Sequence, residues 1–264
     1  MQNKGDTWSS GNLYERFMGR WSALIAQEFL DWLAVSPGCS WIDVGCGTGT
    51  LTNQILALHQ PHNINSIDSS AEFISHAQQY ITNPIVRFQV GLAQFLELDS
   101  NAVDVAVSGL VLNFVPQPEE AISEMIRVAK PGGKIGIYLW DYADGMQMLR
   151  YFWDAAVELD ARARAFDEGN RFPLCQEGQL ETIARKAGLK QIEAMPIEGT
   201  SVFQSFDDYW MPFLGNVGPA PAYNMSLKKM DRQRLENKLR ETLPIQSDGS
   251  ISLTVRTWAV KGTA

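Results

Sequence analysis

The chain carries Gly45, Gly47 and Gly49 directly after the apolar segment Ser40–Val44, and a helix-forming run starts at Thr50. The apolar segment is typical of a buried parallel strand. Glycines at alternate positions allow a sharp turn and let a ligand approach the backbone closely. We therefore predict a strand, a ligand-binding loop and a helix capped by Thr50, with free backbone N–H groups pointing beyond the end of the strand.

The spacing of these glycines separates two nucleotide ligands. A dinucleotide-binding loop has its third glycine at the sixth position, where this chain has Thr50. Asp43 would place a carboxylate near a pyrophosphate, whereas it suits the ammonium or sulfonium group of S-adenosylmethionine (SAM). The segment from Asp43 to Gly49 resembles the first motif of class I SAM-dependent methyltransferases.

This resemblance implies the fold and the cofactor. The expected fold is α/β, with a Rossmann-like, seven-stranded, mostly parallel sheet whose last strand is antiparallel, and with helical cap insertions. The expected cofactor is SAM, the expected product is S-adenosylhomocysteine, and no metal is expected. The chain looks most like the UbiE-like branch that methylates small molecules, and also like an uncharacterised bacterial group that indicates no substrate.

Composition limits the partners that we expect. The chain has 264 residues, of which 45% are hydrophobic, and a formal net charge of -8. An acidic protein is poorly suited to nucleic acid or to anionic membranes, so we expect neither as a partner. The three cysteines lack metal-site spacing, and no apolar run is long enough for a signal peptide or a membrane span. We expect a cytoplasmic protein and leave its oligomeric state open.

Periodicity and turn residues predict the order of elements. The predicted strands are 40–44, 63–67, 85–90, 102–107, 134–140, 190–196 and 251–260. The predicted helices are 22–33, 51–58, one starting at 69 or 70, one after Pro118, 146–164, 176–188 and 227–243.

These elements predict a single methyltransferase domain over residues 1–264. An N-terminal arm and helix occupy residues 1–37. The cofactor-binding core comprises 38–140, 176–199 and 249–264, and two insertions, 141–175 and 200–248, are assigned to substrate because the resemblance places them at the carboxyl ends of strands.

Cofactor contacts are expected where strands end. Asp68 closes the second predicted strand, and a carboxylate there can accept hydrogen bonds from both ribose hydroxyls. The family commonly has an aspartate after the glycine that follows the third strand, but this chain has Leu92, so the adenine edge is left to Ala93 and Gln94. The full set of expected cofactor contacts is Arg20, Asp43, Gly45, Gly47, Gly49, Asp68, Ser69, Ala93, Gln94, Ser108 and Gly109.

The insertions combine aromatic and acidic side chains, which suits a cationic amine slightly better than a neutral phenol. The expected substrate contacts are Tyr14, Trp140, Asp141, Tyr142, Tyr209 and Trp210. The histidines, His59, His62 and His76, fall outside the insertions and are expected at the surface, so no general base is identified and the catalytic residues stay unknown.

Three functions remain open on the sequence. The leading one is methyl transfer from SAM to a small molecule, with nitrogen slightly favoured over oxygen as the acceptor atom. The second is a SAM- or nucleotide-binding protein without methyl transfer, and the third is an NAD-dependent oxidoreductase, which Thr50 disfavours.

Overall fold

The structure is a computed structural model that describes residues 20–215 and 218–264. The N-terminal arm with Tyr14 lies outside the described residues, and so does the side chain of Arg20. The roles expected for these two residues therefore stay predictions.

In the described part of the chain, seven strands form one sheet. They are β1 (Ser40–Val44), β2 (Asn63–Asp68), β3 (Val86–Val90), β4 (Val103–Gly109), β5 (Ala129–Trp140), β6 (Lys190–Phe203) and β7 (Ile251–Thr263). Their order in the sheet is β3-β2-β1-β4-β5-β7-β6. Strands β1 to β5 pair in parallel, and β7 pairs antiparallel to β5. The predicted fold class is confirmed.

Helices separate β1 from β2, β2 from β3 and β4 from β5, whereas β3 is joined to β4 without a helix. The helices are α1 (Arg20–Leu33), α2 (Thr50–His59), α3 (Ala71–Tyr80), α4 (Pro118–Val128), α5 (Gln147–Leu159), α6 (Glu168–Arg171), α7 (Gln179–Lys186), α8 (Phe206–Trp210), α9 (Pro219–Ser226) and α10 (Lys229–Thr242). None of the helices in the described part of the chain is long and apolar enough to span a membrane.

The chain divides into two compact units, which we name the sheet unit and the insertion unit. The sheet unit comprises Ser22–Trp140, Glu177–Ile197 and Thr257–Ala264. The insertion unit, in its described part, comprises Asp141–Gln176 and Glu198–Arg256 together with Trp21.

Helix α4 illustrates how the sequence builds the sheet unit. Pro118 occupies the first turn, where its missing N–H costs nothing, and two glutamates there suit the positive end of the helix dipole. The buried face carries Ala121, Ile122, Met125 and Val128 at helical spacing. Strand β1 is buried from Trp41 onward, as the continuous apolar run predicts for a central parallel strand.

The insertion unit has an aromatic core of its own. The rings of Phe152 and Phe213 stack with their centroids 4.5 Å apart, and Trp153 lies edge-on to Phe152. Tyr209 packs against Phe213 and is fully buried. Aromatic side chains of this size contribute much of the apolar area that stabilises a small unit.

Several local predictions were wrong. Strand β6 continues to Phe203, seven residues beyond its predicted end, and helix α5 ends at Leu159 before a 3₁₀ turn over Ala161–Ala165. Thr50 is the first residue of α2 and not its cap, because the left-handed Gly49 occupies the capping position without a side-chain hydrogen bond. His59 is buried against the ring of Trp41 and is not a surface residue.

Candidate cofactor site

The glycine loop turns tightly at the carboxyl end of β1. Gly45, Gly47 and Gly49 have φ angles of +78°, +53° and +93°. The N–H groups of Gly45 and Cys46 donate to the carbonyl of Ile67 at 2.7 and 2.9 Å, which joins the loop to strand β2. The predicted strand, loop and helix are therefore in place, and left-handed backbone explains why glycine stands at these positions.

The three glycines serve two different purposes. A Cβ at Gly45 would meet the side chain of Val111 at 2.4 Å, and one at Gly49 would meet that of Ile81 at 2.7 Å. At Gly47 a Cβ would meet nothing within 4 Å. Gly45 and Gly49 thus allow the loop to pack against neighbouring elements, whereas Gly47 leaves open space next to the backbone.

Asp68 lies directly behind this loop. Its Oδ2 accepts a hydrogen bond from the N–H of Gly47 at 2.9 Å, and its Oδ1 accepts one from the N–H of Ser70 at 2.8 Å. Burial raises the pKa of Asp68, and these two backbone hydrogen bonds oppose the rise. Each carboxylate oxygen retains a second lone pair, so the group can accept further hydrogen bonds from a diol.

Asp43 is the second carboxyl group of the site. Its Oδ2 accepts a hydrogen bond from the hydroxyl of Thr52 at 2.7 Å, while its buried Oδ1 has no partner. Burial raises the pKa of Asp43 to about 7, the Thr52 hydroxyl opposes this rise, and the nearby Asp68 adds to it. No cation among the described residues lowers either pKa, so a positively charged ligand group would compensate both carboxylates.

Thr52 and Ser66 support Asp43, and the sequence analysis did not identify either. Their hydroxyl oxygens lie 2.8 Å apart, and both residues are fully buried. A threonine on the apolar face of a helix and a serine inside a buried strand are the signals that could have indicated them, because buried polar groups need partners.

At the end of β4, Ser108 and Gly109 are packed against other parts of the protein, and their expected contacts with the cofactor stay predictions. Ser108 is fully buried, and its hydroxyl donates to the carbonyl of Val44 at 2.8 Å. A Cβ at Gly109 would meet the phenol oxygen of Tyr138 at 2.5 Å, so this glycine allows a close packing contact. Leu110 follows with a φ of +63°, a strained conformation for leucine that sequence reasoning did not predict.

The loop after β3 is fixed beside Asp68. The N–H of Gly91 donates to the Asp68 carbonyl at 2.9 Å. Ala93 is half-buried in this loop, and Ser69 is exposed next to Asp68. Gln94 lies along an open groove of about 700 Å³, which it forms with Gln117 and the first turns of α4.

The expected substrate residues hold internal contacts. In the insertion unit, the Tyr209 hydroxyl donates to the carbonyl of Met148 at 2.9 Å, and the ring of Tyr142 lies 5.8 Å from that of Phe172. Both tyrosines are buried, as is Trp210. In the sheet unit, Trp140 is buried as well. Their predicted contacts with a substrate stay predictions.

Asp141 is held by an arginine of the same unit. Arg256 lies 2.7 Å from its Oδ2, and the N–H groups of Ala143 and Asp144 donate to its Oδ1 at 3.1 Å each. Asp141 is 2% exposed. The charge that we expected to attract a substrate amine is compensated within the insertion unit.

No group of three His, Cys, Asp or Glu side chains that could hold a metal ion occurs among residues 20–215 and 218–264. The three cysteines are free thiols. The polar groups of the site are therefore backbone N–H donors and two carboxyl acceptors, a set that fits a cationic nucleoside.

Known proteins resemble part of the chain in sequence. Residues 42–137 match the family described as methyltransferase domain. Over 123 residues the chain is 32% identical to the 2-methyl-6-phytyl-1,4-hydroquinone methyltransferase of Synechocystis. The aligned segment covers 46% of this chain and 38% of that protein. The chain spans between about a third and a half of the length of several curated relatives.

Solved structures share the fold. The phosphoethanolamine N-methyltransferase 2 of Haemonchus contortus, solved with phosphomonomethylethanolamine and S-adenosylhomocysteine, aligns with a TM-score of 0.59 and 16% identity, over 96% of this chain and 56% of that one. The [4+2]-cyclase SpnF aligns with a TM-score of 0.53 and 18% identity, over 99% and 88% of the two chains.

Proposed function

We propose that the protein is a class I SAM-dependent methyltransferase that transfers a methyl group from SAM to a small-molecule acceptor, and the match of residues 42–137 to the methyltransferase domain family supports this proposal. The observation that carries this proposal is the pairing of Gly47 with Asp68. The N–H of Gly47 holds the Asp68 carboxylate, which would accept hydrogen bonds from the ribose hydroxyls. Gly47 has no side chain, and the space where one would lie is free for the ligand.

Asp43 favours SAM as the ligand over nucleosides that carry no positive charge. Its unpartnered Oδ1 is a buried acceptor that requires a donor, and the ammonium group of the methionine moiety is a charged donor. The loop and Asp68 would bind and orient the cofactor, which supplies an electrophilic methyl group when bound. The remaining task of the protein is to align the acceptor with that methyl group and to exclude water.

A nitrogen acceptor is slightly favoured within this proposal. All three histidines belong to the sheet unit, and we assign no general base in the insertion unit. An amine with a free lone pair needs only positioning, whereas a hydroxyl or a carbon acid usually needs proton removal. The N-methyltransferase similar in fold acts on an amine and the relative from Synechocystis on a hydroquinone, so both acceptor types belong in a substrate screen.

Two other functions stay in competition. A protein that binds SAM without methyl transfer keeps the same loop, and the similarity in fold to a cyclase illustrates that this architecture does not determine the reaction. An NAD-dependent oxidoreductase is disfavoured by Thr50 at the position of the third dinucleotide glycine.

Calorimetry with SAM, S-adenosylhomocysteine and NAD separates the cofactors. We expect SAM and its product to bind and NAD not to bind. Mass spectrometry of a screen of amines and hydroquinones incubated with SAM then tests transfer, with a gain of about 14 Da as the readout for one methyl group. Binding of NAD without SAM would overturn the proposal, and SAM binding without any methylated product would favour the second function.

Asp68→Ala tests the carboxylate directly. We expect SAM affinity to fall by about 2 kcal/mol, because a charged acceptor of two hydrogen bonds is lost. Asp104→Ala removes another carboxylate that caps a backbone N–H in the sheet unit, at Ser40, and serves as the control. Equal SAM affinity in the two variants would show that Asp68 only fixes the loop and the start of α3.

A further inference from the structure

The insertion unit contains a cavity of about 440 Å³ at the junction of helices α9 and α10. All the residues that line it belong to this unit. Its apolar wall includes Ala156 and Leu159 of α5 and Leu235 of α10. A volume of this size is in the range of sites that hold small molecules.

Arg232 fixes the junction of the two helices. Its guanidinium donates to the carbonyl oxygens of Asn224, Met225 and Leu227 at 3.1, 3.1 and 3.3 Å. The buried side chain of Asn224 donates to the carbonyl of Phe213 at 2.9 Å. These contacts satisfy the end of α9 and hold the start of α10 beside it, so the walls of the cavity are preorganised for a ligand.

Tyr223 contributes a buried polar group to the cavity. It is 9% exposed, and its ring lies 5.5 Å from that of Phe166. Its hydroxyl has no hydrogen-bond partner among residues 20–215 and 218–264. Burial raises the pKa of this phenol, the carboxylates of Asp160 and Asp231 add to the rise, and Arg162 opposes it. The hydroxyl therefore stays protonated at neutral pH and can donate a hydrogen bond to a ligand.

The charged side chains of the cavity leave one positive charge uncompensated. Asp160 pairs with Arg162 at 2.8 Å, and Asp231 lies 3.8 Å from Arg234. The ammonium group of Lys228 has neither an ion pair nor a hydrogen bond within the described part of the chain. The cavity is thus lined by three cations and two carboxylates, and this surplus favours a negatively charged ligand.

The start of α10 adds backbone donors to the same place. Lys228 is the residue at the N-terminal cap, and no side chain caps this end of the 14-residue helix. The first N–H groups of a helix have no partner within it, and the helix dipole favours an anion there. Asp231 stands in the first turn and offsets part of this field, although Arg234 already lies near its carboxylate.

We propose that this cavity binds a small organic anion, with a carboxylate or phosphate group at Lys228 and the Tyr223 hydroxyl and an apolar part against Leu159 and Leu235. A helix start alone would attract any anion weakly, whereas the buried hydroxyl and the apolar wall select an anion that carries a hydrocarbon group. Binding here is independent of the proposed cofactor, because Asp43 and Asp68 are not among the residues that line the cavity.

Calorimetry of the full chain with small ligands tests the inference in the absence of SAM. The ligands are hexanoate, hexyl phosphate, hexylamine and acetate. We expect at least one of the two hexyl anions to bind and hexylamine, which has a similar chain and the opposite charge, not to bind. The tighter of the two anions identifies the head group. Hexanoate should bind at least about tenfold more tightly than acetate, because its longer chain buries more apolar area.

Three results of this titration would overturn the inference. They are no binding of either hexyl anion, binding of hexylamine as tight as that of the anions, and equal binding of hexanoate and acetate. The first two would contradict the surplus of positive charge as the basis of recognition, and the third would contradict the apolar wall.

Lys228→Gln and Lys229→Gln form a matched pair of variants. Both remove one positive charge at the start of α10, and of the two residues Lys228 lines the cavity. We expect Lys228→Gln to weaken binding of the tighter hexyl anion at least about fivefold, through loss of a charged hydrogen bond. Lys229→Gln should retain the wild-type affinity within about twofold, because water screens an exposed charge. An equal loss in both variants would reflect the charge of the helix start alone and would overturn the inference.

Tyr223→Phe removes the hydroxyl and keeps the ring. We expect the affinity for the same anion to fall about fivefold, while the melting temperature stays close to that of the wild type, because the hydroxyl has no partner to lose in the described part of the chain. Tyr151→Phe is the control, since Tyr151 lies on α5 of the same unit and does not line the cavity. Unchanged affinity in Tyr223→Phe, or an equal loss in Tyr151→Phe, would contradict the role of the Tyr223 hydroxyl and overturn the inference.

Discussion

Gly47 combines a left-handed backbone with free space where a side chain would start. Gly47→Ala should reduce SAM affinity at least about tenfold, because the methyl group enters the ligand's space, and should cost about 1 kcal/mol of folding stability through the positive φ. Gly38→Ala is the control, since Gly38 also has a positive φ, +82°, and no neighbour within 4 Å. Calorimetry and thermal melts measure the two effects. Similar SAM affinity in the two variants would place Gly47 outside the site.

Asp43 gives the stability of the protein a distinct pH dependence. Its pKa in the folded state is about 7, above the ordinary value of 3.8, so the folded state holds this proton more tightly than the unfolded state does. The contribution of Asp43 to stability should therefore fall as pH rises from about 4 to about 7 and level off above that range. Asp68, whose pKa is also raised, contributes in the same direction.

Asp43→Asn isolates this contribution. The asparagine cannot ionise, so the loss of stability between pH 5 and pH 8 should be smaller in the variant than in the wild type. Denaturant unfolding at several pH values measures the difference. Asp99→Asn replaces an exposed carboxyl of the same unit and serves as the control. Parallel curves for wild type and Asp43→Asn would contradict the raised pKa.

At the scale of elements, Arg256 of β7 contacts the segment that follows β5. It lies 2.7 Å from Asp141, 2.8 Å from Asp144 and 3.4 Å from Glu198. Arg256→Ala leaves the buried Asp141 carboxylate without its cation, which costs about 3 kcal/mol in comparable pairs. Chemical denaturation should detect this loss.

The control for Arg256 is an exposed ion pair in the same unit. Arg162 pairs with Asp160 at 2.8 Å, and its side chain is 89% exposed. Arg162→Ala should leave stability nearly unchanged, because water screens exposed ion pairs. If both variants lost the same stability, burial of Asp141 would not be the reason for the effect.

At the scale of the whole molecule, a ligand that binds only the folded state raises its stability. S-adenosylhomocysteine at 100 times its dissociation constant should add about 2.7 kcal/mol, and the melting temperature should rise further with concentration. With a net charge of -8, the protein should show no comparable shift with an oligonucleotide. A thermal-shift titration at fixed salt measures both, and stabilisation by the oligonucleotide alone would contradict the assignment of the ligand.

Much of the sheet unit followed from local patterns. The apolar runs of β1 to β5 predicted their strands to within a few residues, apart from the earlier start of β5 at Ala129. Asp68 was identifiable because it ends a strand one unit after the glycine loop. The second strand, its terminal acid and the cap at Ser70 all depend on residues close together in the chain. Local periodicity and capping chemistry carry such information.

The end of β6 was not predictable in the same way. Residues 197–203 contain Gly199 and polar side chains, which indicate a loop when they are considered alone. In the fold they continue a strand at the edge of the sheet, next to β7. Pairing with another strand overrides weak local preference, because strand propensity depends strongly on context.

By itself, the sequence determined the order of strands and helices, the glycine loop and the acidic residue beyond it, because each depends on backbone conformation and on spacing along the chain. Only the tertiary structure separated Gly47 from Gly45 and Gly49, buried His59 and Tyr209, and joined Asp141 to Arg256. These outcomes depend on neighbours far away in sequence. Whether a side chain faces a ligand, a core or an ion pair is decided when distant segments pack together.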